Sequence, residues 1–222
     1  MEVTYIDHMG SDLSVVNAAR VSFGKKSAWE QRVHPSGDYA DDVLAERDTK
    51  LIKYLAKHKH KSPFNHTFVT FHVKAPIFVA RQLQKHEYMP WNEISRRYVD
   101  DEPEFYQPDV WRGRSEDKKQ GSEGEINDIR PSVARNMVED CRQNYNYLLA
   151  KGVSPEQARM VLPQSMMTEW YWSGTVFSFA KMCSLRCKDD TQAETRVVAD
   201  AIDEEMENLY PVSWEALRVY EE

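Results

Sequence analysis

Residues 85–98 read KHEYMPWNEISRRY. A histidine sits between a lysine and a glutamate, a Pro-Trp pair breaks the chain, and Glu93, Ser95, Arg96 and Arg97 then crowd into five residues. Helical spacing ahead of Pro90 puts Gln82 beside His86 and Arg81 beside Lys85. A charged face of that kind is, by itself, ordinary solvated helix surface. The turn that follows gives it another use. Past Asn92 and Glu93, an extended segment places Ser95 and Arg97 on one side and Arg96 on the other. Carboxylate, hydroxyl and guanidinium groups then converge where a loop leaves a helix. Such a set suits a ligand with a phosphate, sugar hydroxyls and a polar ring, because arginine forks clamp phosphate or carbonyl oxygens while Glu and Ser take hydroxyls.

Other residues widen this picture. Arg159 lies in the apolar run ARMVLP, where a guanidinium requires an anion or an acid nearby. The KHKHK cluster, residues 57–61, can hold a phosphorylated small molecule. His58, His60 and His66 have spacing that suggests zinc, but no carboxylate or thiolate pattern completes a site, so no metal is expected. Cys141, Cys183 and Cys187 are odd in number and lack a CxxC pair, which argues against a disulfide framework and a thiolate zinc site. Cys183 and Cys187 can share a helix face as packing thiols.

The elements that must position these groups are legible as patterns. In TFVTFHVK, residues 67–74, Val69, Phe71 and Val73 alternate with Phe68, Thr70 and His72, which predicts a strand with one buried face. Residues 3–6 supply a candidate partner strand. Pro76 suits the first turn of a helix that runs through IFVARQLQKHEYM to Pro90. Residues 42–58 place Val43, Leu44, Leu51, Tyr54 and Leu55 at helical spacing. Val133, Met137, Cys141, Tyr145 and Leu148 predict another helix, ending near Gly152. Ser154, Pro155 and Gln157 form a capping-box pattern for a short helix closed by Pro163. Residues 170–185 read as a buried helix or a strand pair, and residues 191–209 as a helix. The expected fold class is α+β, with a small, mostly antiparallel sheet and several long helices. Residues 112–128 are charged and nearly free of large apolar residues, which predicts an exposed loop.

At 222 residues, with no internal repeat or dividing linker, the chain is expected to form a single domain over 1–222. No apolar run approaches the roughly 18 residues of a membrane span. The start, MEVTYIDHMGSD, lacks the charged-then-apolar order of a secretory signal, so a cytoplasmic location is expected. A net charge of −7 argues against a nucleic-acid partner and makes any anion site a local one.

ARQLQKHEYMPWNEISRRY resembles the signature of the flavin-dependent thymidylate synthases, whose hallmark is Arg-His-Arg, seven residues, then Ser; here it reads Lys85-His86-Glu87, seven residues, Ser95. NAARVSF, SPFNHTFVTFHVKAPIFVARQ, EFYQP, ARMVLP and SLRCKDDTQAE resemble further blocks of that family in the same order. The resemblance implies conversion of dUMP to dTMP, with methylenetetrahydrofolate as carbon donor and FAD, reduced by NADPH, as hydride carrier. It implies a homotetramer with sites at subunit junctions. For dUMP it implies Gln82, Leu83, Gln84 and Lys85 from one subunit, with Glu93, Ile94, Ser95, Arg96, Arg97, Arg159 and Arg186 from neighbours. For FAD it implies His60, Ser62, Lys85, His86, Glu87 and Glu93, with Thr175, Val176, Phe177 and Lys181 from the later segment. Arg186 is the catalytic candidate, draining charge from the uracil ring, and no cysteine nucleophile is expected.

The sequence departs from the family pattern on the flavin side. Glu87 and Lys85 stand where arginine is expected, Asn65 for an acid, Phe177 for a polar or basic residue, and Lys181 for asparagine. One compensation is that Lys181 replaces the lost cation while Glu87 pairs with it or with an FAD hydroxyl. Two other functions stay open: a related C5-modifying enzyme, hydroxymethylating or cytosine-specific, and a flavin-free nucleotide-binding protein.

Overall fold

The computed structural model describes residues 1–33, 36, 40–99, 101–116, 121–130 and 132–220. Strand β1 (Glu2–Met9) and helix α1 (Asp12–Arg20) open the chain. An antiparallel pair, β2 (Glu30–Val33) and β3 (Ala40–Val43), precedes α2 (Glu46–Lys57). A 3-10 turn, Ser62–His66, leads into β4 (Phe68–Pro76), which feeds α3 (Ile77–Leu83) and the short β5 (Trp91–Glu93). A second antiparallel pair, β6 (Arg112–Arg114) and β7 (Ser122–Glu125), is followed by α4 (Ser132–Ala150) and α5 (Pro155–Ala158). The chain then forms β8 (Met167–Gly174), α6 (Val176–Arg186), α7 (Ala193–Leu209) and α8 (Pro211–Tyr220).

Four strands make one antiparallel sheet in the order β1-β4-β8-β5. The alternation in β4 has the physical cause its sequence predicts: Val69, Phe71 and Val73 have no exposure, while Phe68, Thr70 and His72 are half-buried on the other face. Phe71 meets Phe179 of α6 edge-on at 5.2 Å, and Trp172 of β8 meets the same ring at 5.4 Å. Each such aromatic pair is worth about 0.5–1.5 kcal/mol beyond its buried area. The core these residues begin continues through Val79, Leu83, Ile202 and Trp214, so α3, α6, α7 and α8 share it. The fold is α+β with a small antiparallel sheet, and β1 pairs with β4 as the residues at 3–6 suggest.

Long-range polar contacts hold the first helices to the last. Asp12, at the start of α1, accepts the backbone N–H of Val212 at 2.9 Å and of Ser213 at 2.8 Å, satisfying orphan donors in the first turn of α8. Burial raises the Asp12 carboxyl above its usual range in spite of these bonds. Arg20 donates through Nε to the fully buried Asp48 at 3.0 Å, tying the end of α1 to the first turn of α2.

Several elements differ from the patterns in the sequence. The segment 42–58 is not one helix: Asp42 and Val43 belong to β3, and α2 starts at Glu46. Pro76 ends β4 and caps α3 instead of standing inside it. Helix α3 stops at Leu83, well before Pro90; the amide of His86 reaches back to the Leu83 carbonyl at 3.2 Å, and Tyr88 takes a left-handed φ of 60°. The chain must reverse there so that Trp91 to Glu93 can pair with β8. Ser95 to Tyr98 form a turn, closed by the Tyr98 amide on the Ser95 carbonyl at 3.0 Å, and not an extended strand. Ser154 starts α5 through its backbone, with no side-chain cap. Residues 170–185 are the end of a strand followed by a helix. The charged stretch 112–128 contains the β6–β7 pair; residues 117–120 lie outside the described ones. Among the described residues no helix is long and apolar enough to cross a membrane.

Candidate active site

Where β8 ends, Thr175 caps α6: its hydroxyl accepts the Ser178 amide at 3.2 Å and donates to Asn65 at 3.0 Å. This start of α6 and the turn after α3 form the walls of a cleft of about 710 Å³. Lys85, His86 and Glu87 line one side, and Thr175, Phe177, Lys181 and Arg186 the other, with Lys61 and Asn65 at the edge. Seven of the expected site residues therefore meet here. Lys61 Nζ sits 5.2 Å above the Phe177 ring, so a cation is held next to the position where the family pattern calls for a polar or basic side chain. Glu87 makes no ion pair among the described residues, so the expected pairing with Lys181 is not formed.

Arg186, in the last turn of α6, is held by two neutral acceptors. Its Nε donates to His86 Nε2 at 3.2 Å and its Nη2 to the Gln82 carbonyl at 3.1 Å. Asp189, the nearby acid, is taken by Arg196 at 3.3 Å. Burial lowers the pKa of Arg186 from the usual guanidinium range, and an arginine side chain remains a cation in proteins. His86 is pushed down to about 4 by burial first, then by the Arg186 and Lys181 charges. At neutral pH the imidazole is uncharged, which its role as an acceptor requires.

A second, smaller cleft of about 280 Å³ lies between β5 and the segment before β8. Arg81, Glu93, Ile94, Arg96 and Arg159 line it. Both oxygens of Glu93 are fixed, Oε1 by the Thr168 hydroxyl at 2.6 Å and Oε2 by the Trp91 indole at 3.1 Å. Arg96 pairs with Asp101 at 2.8 Å. Arg97 donates through Nε to Ser95 Oγ at 3.3 Å and lies over the Tyr98 ring at 4.9 Å. Arg159 is exposed, donating through Nε to the Glu156 carbonyl at 3.2 Å and meeting no carboxylate among the described residues. Among the described residues the expected acid beside Arg159 is not there, and the side chain is open to solvent even though Met160, Leu162 and Pro163 line the same cleft.

Within one chain seven of the expected residues thus line the first cleft, Arg186 among them, while Glu93, Ile94, Arg96 and Arg159 line the second. Leu83 and Val176 have no exposure, so neither residue reaches the surface of this chain. Gln84 is exposed, and Ser62 opens the 3-10 turn before β4. His60 packs beside Tyr54 and His58, with ring centroids 6.1 and 6.4 Å away. Lys61 and Tyr88 are cleft residues that no motif singled out one by one; the KHKHK charge cluster was the available signal for the first. Among the described residues, the three side chains grouped as a metal site would need are Cys183, Cys187 and Asp203, not the histidines at 58, 60 and 66. Burial raises the Cys183 thiol well above its usual range, and Asp203 already accepts from Trp214 and Arg218 at 3.0 and 2.9 Å.

A third cavity, about 730 Å³, lies between α4 and the β6–β7 pair and is mostly apolar. At its polar end Arg112 pairs with the buried Glu194, which also accepts Gln192 Nε2 at 3.1 Å. Gln192 in turn accepts the Gln82 amide, so the end of α3 is anchored to the start of α7.

Comparison with known proteins adds sequence and fold relatives. Residues 4–212 match the family model described as thymidylate synthase complementing protein. A flavin-dependent thymidylate synthase of Thermus thermophilus is 38% identical over 215 residues, covering 96% of this chain and 74% of that protein. One from Kosmotoga olearia is 37% identical over 218 residues, covering 96% and 88%. The crystal structure of the UMP/dUMP methylase PolB from Streptomyces cacaoi, bound with 5-Br dUMP, superposes with a TM-score of 0.81 at 31% identity, covering 99% of this chain and 95% of that one.

Proposed function

The chain belongs to the thymidylate synthase complementing protein family, and from that premise we propose that it is a flavin-dependent thymidylate synthase, an enzyme that methylates dUMP to dTMP. Methylenetetrahydrofolate is the carbon donor and NADPH the reductant in this reading. The observation that carries it is Arg186, a guanidinium fixed by His86 and Gln82 and paired with no carboxylate among the described residues, facing a cleft.

That arrangement suits a pyrimidine ring that gains negative charge as it reacts. A cation that cannot transfer its proton stabilises charge at N3 and the adjoining carbonyl oxygens, and it does so best when already oriented and not neutralised by an acid. The donor set around it fits FAD: Lys61, Lys85 and Lys181 offer cations for a diphosphate, and Phe177 an apolar ring surface. Bound and reduced, FAD supplies the hydride equivalent of the reaction. No cysteine lines either cleft, and the Cys183 thiol is buried with its pKa raised, which favours chemistry without a thiolate nucleophile.

Glu93, Ser95, Arg96, Arg97 and Arg159 are assigned to the nucleotide's sugar and phosphate. Because Glu93, Arg96 and Arg159 border a different cleft from Arg186, the reading includes a homotetramer in which one subunit's first cleft faces another's second. Residues 1–222 act as one domain, on soluble substrates in the cytoplasm. Methylation of UMP alongside dUMP is a second reading, favoured by the fold relative, whose crystal structures hold 5-Br dUMP and 5-Br UMP. The test is incubation of purified protein with FAD, NADPH, methylenetetrahydrofolate and either nucleotide, followed by mass identification of the base. Thymine is expected; uracil recovered unchanged from a flavin-loaded protein would overturn the reading, and 5-hydroxymethyluracil would replace it.

A further inference from the structure

We propose that His86 is a positioning residue for Arg186: its unprotonated Nε2 accepts the Arg186 Nε–H and fixes the plane of the guanidinium while leaving its charge whole. The role rests on the proposed function for its purpose, and on geometry for its existence. The two contacts that orient Arg186, His86 Nε2 at 3.2 Å and the Gln82 carbonyl at 3.1 Å, are both neutral acceptors. Together they occupy one edge of the guanidinium, so the remaining N–H groups stay available to the cleft. The support behind them is itself braced, because the Gln82 side chain is bonded to Gln192 and that residue to Glu194.

A carboxylate in place of His86 would orient the arginine equally well but cancel much of its field. Water would preserve the charge and leave the side chain to sweep through its rotamers. An imidazole acceptor gives orientation without neutralisation. For Nε2 to accept, the ring proton must lie on Nδ1. Arg186 and Lys181, facing the ring from α6, favour that neutral form; Lys61 lies across the cleft, and Lys85 and the opposing acid Glu87 stand on its own turn.

Two measurements on the full chain test this. In protein labelled with 15N-histidine, His86 is expected as the neutral Nδ1–H tautomer at neutral pH, with the Nε2 signal changed by Arg186→Lys, which loses Nε–H. An Nε2–H tautomer would overturn the proposal. The second measurement follows the ultraviolet titration of the ring N3–H of bound 5-bromo-dUMP. A fixed cation lowers the pH at which the bound ring ionises. His86→Ala is expected to weaken that ionisation constant by about tenfold, the size of one lost charge-assisted hydrogen bond. His86→Gln, whose amide oxygen can accept from the same Nε–H, should retain most of the effect, and His86→Glu should lose it through neutralisation. FAD affinity is measured in parallel. If His86→Ala weakens FAD binding and leaves the ring titration as in the wild type, His86 serves the flavin alone and the proposal falls. Should the wild-type protein bind no pyrimidine nucleotide, the functional reading fails, and the tautomer still decides the role of His86.

Discussion

Thr168, buried on β8, donates its hydroxyl to Glu93 on β5 at 2.6 Å, fixing a carboxylate that otherwise stands on the exposed edge of the sheet. The indole of Trp91 holds the other oxygen, and Trp91 is stacked on Trp170 at 4.3 Å with 17° between the planes. Glu93 is therefore presented to the second cleft in one orientation, at the cost of two hydrogen bonds already committed. Thr168→Val keeps the volume and deletes one of them. A hydrogen bond to a charged group is worth about 1.5–3 kcal/mol, most of which water returns to an exposed carboxylate, so the expected effect is a roughly three- to tenfold weaker affinity for dUMP with little change in melting temperature. Isothermal titration of both proteins decides it; equal affinities would detach Glu93 from the nucleotide.

Arg20 and Asp48 offer a sharper test of stability. The Asp48 side chain has no exposure, and among the described residues its Oδ2 has no hydrogen-bond partner, so the carboxylate depends on Arg20. Arg20→Met leaves that charge buried and unpaired, a change that costs about 3–5 kcal/mol in comparable pairs. The double substitution Arg20→Met, Asp48→Leu should recover most of the loss, because the penalty belongs to the stranded charge and not to the missing bond. Urea unfolding of the two variants measures the difference, and equal destabilisation in both would show that packing, not charge, sets the cost.

Which features the sequence disclosed follows from how local their causes are. The alternation in residues 67–74 predicts β4 because one face of an antiparallel strand is buried and the other is not, a cause contained within the strand itself. The stripe of Tyr145 and Leu148 likewise predicts α4, ending at Ala150 before Gly152. Helix α3 is misread because its end is set elsewhere: the chain leaves the helix at Leu83 so that Trp91 can pair with Trp172. Residues 170–185 are ambiguous for another reason. Trp170 and Trp172 alternate with polar residues, but α6 is apolar enough to blur the boundary, and short apolar runs do not declare their period. The candidate site shows the same division. Lys85, His86, Thr175, Phe177, Lys181 and Arg186 do converge, whereas the separation of Arg159 from Arg186 and the placement of Lys61 over Phe177 are facts of tertiary packing.

Glu194 makes the attachment of the β6–β7 pair to α7 depend on pH. Burial alone would raise its carboxyl, but hydrogen bonds from Arg112 and Gln192 and the Arg112 charge hold it below the ordinary 4.5. An acid depressed in the folded state adds stability that is complete above its unfolded pKa and disappears as the pH falls through the folded one. Acid unfolding of the wild type should therefore include a loss beginning near pH 4.5 and continuing below it. Glu194→Gln should lack that component, which a series of urea titrations from pH 6 to pH 3 can read. A variant with the same acid slope as the wild type would place the proton uptake on other carboxylates.

His86 works in the opposite sense, and the sign follows from its being a base whose folded pKa is lowered from 6.5 to about 4. Between those two values the unfolded chain takes up a proton that the folded chain refuses. Linkage then makes stability rise with pH across that window, complete above 6.5 and reduced as the pH falls toward 4. The causes, burial and the neighbouring Arg186 and Lys181, also say how to weaken the effect. Arg186→Met removes one of the two cations, so the His86 pKa should move up toward its ordinary value and the slope of stability between pH 4 and pH 6.5 should become shallower. His86→Gln removes the titrating group and should abolish that component altogether. Histidine titration by NMR, alongside unfolding at each pH, separates this from the carboxylates that titrate lower. A His86 that protonates near 6.5 in the wild type would mean that Arg186 must find another acceptor at mildly acidic pH, and nucleotide binding would then be lost in step with that protonation.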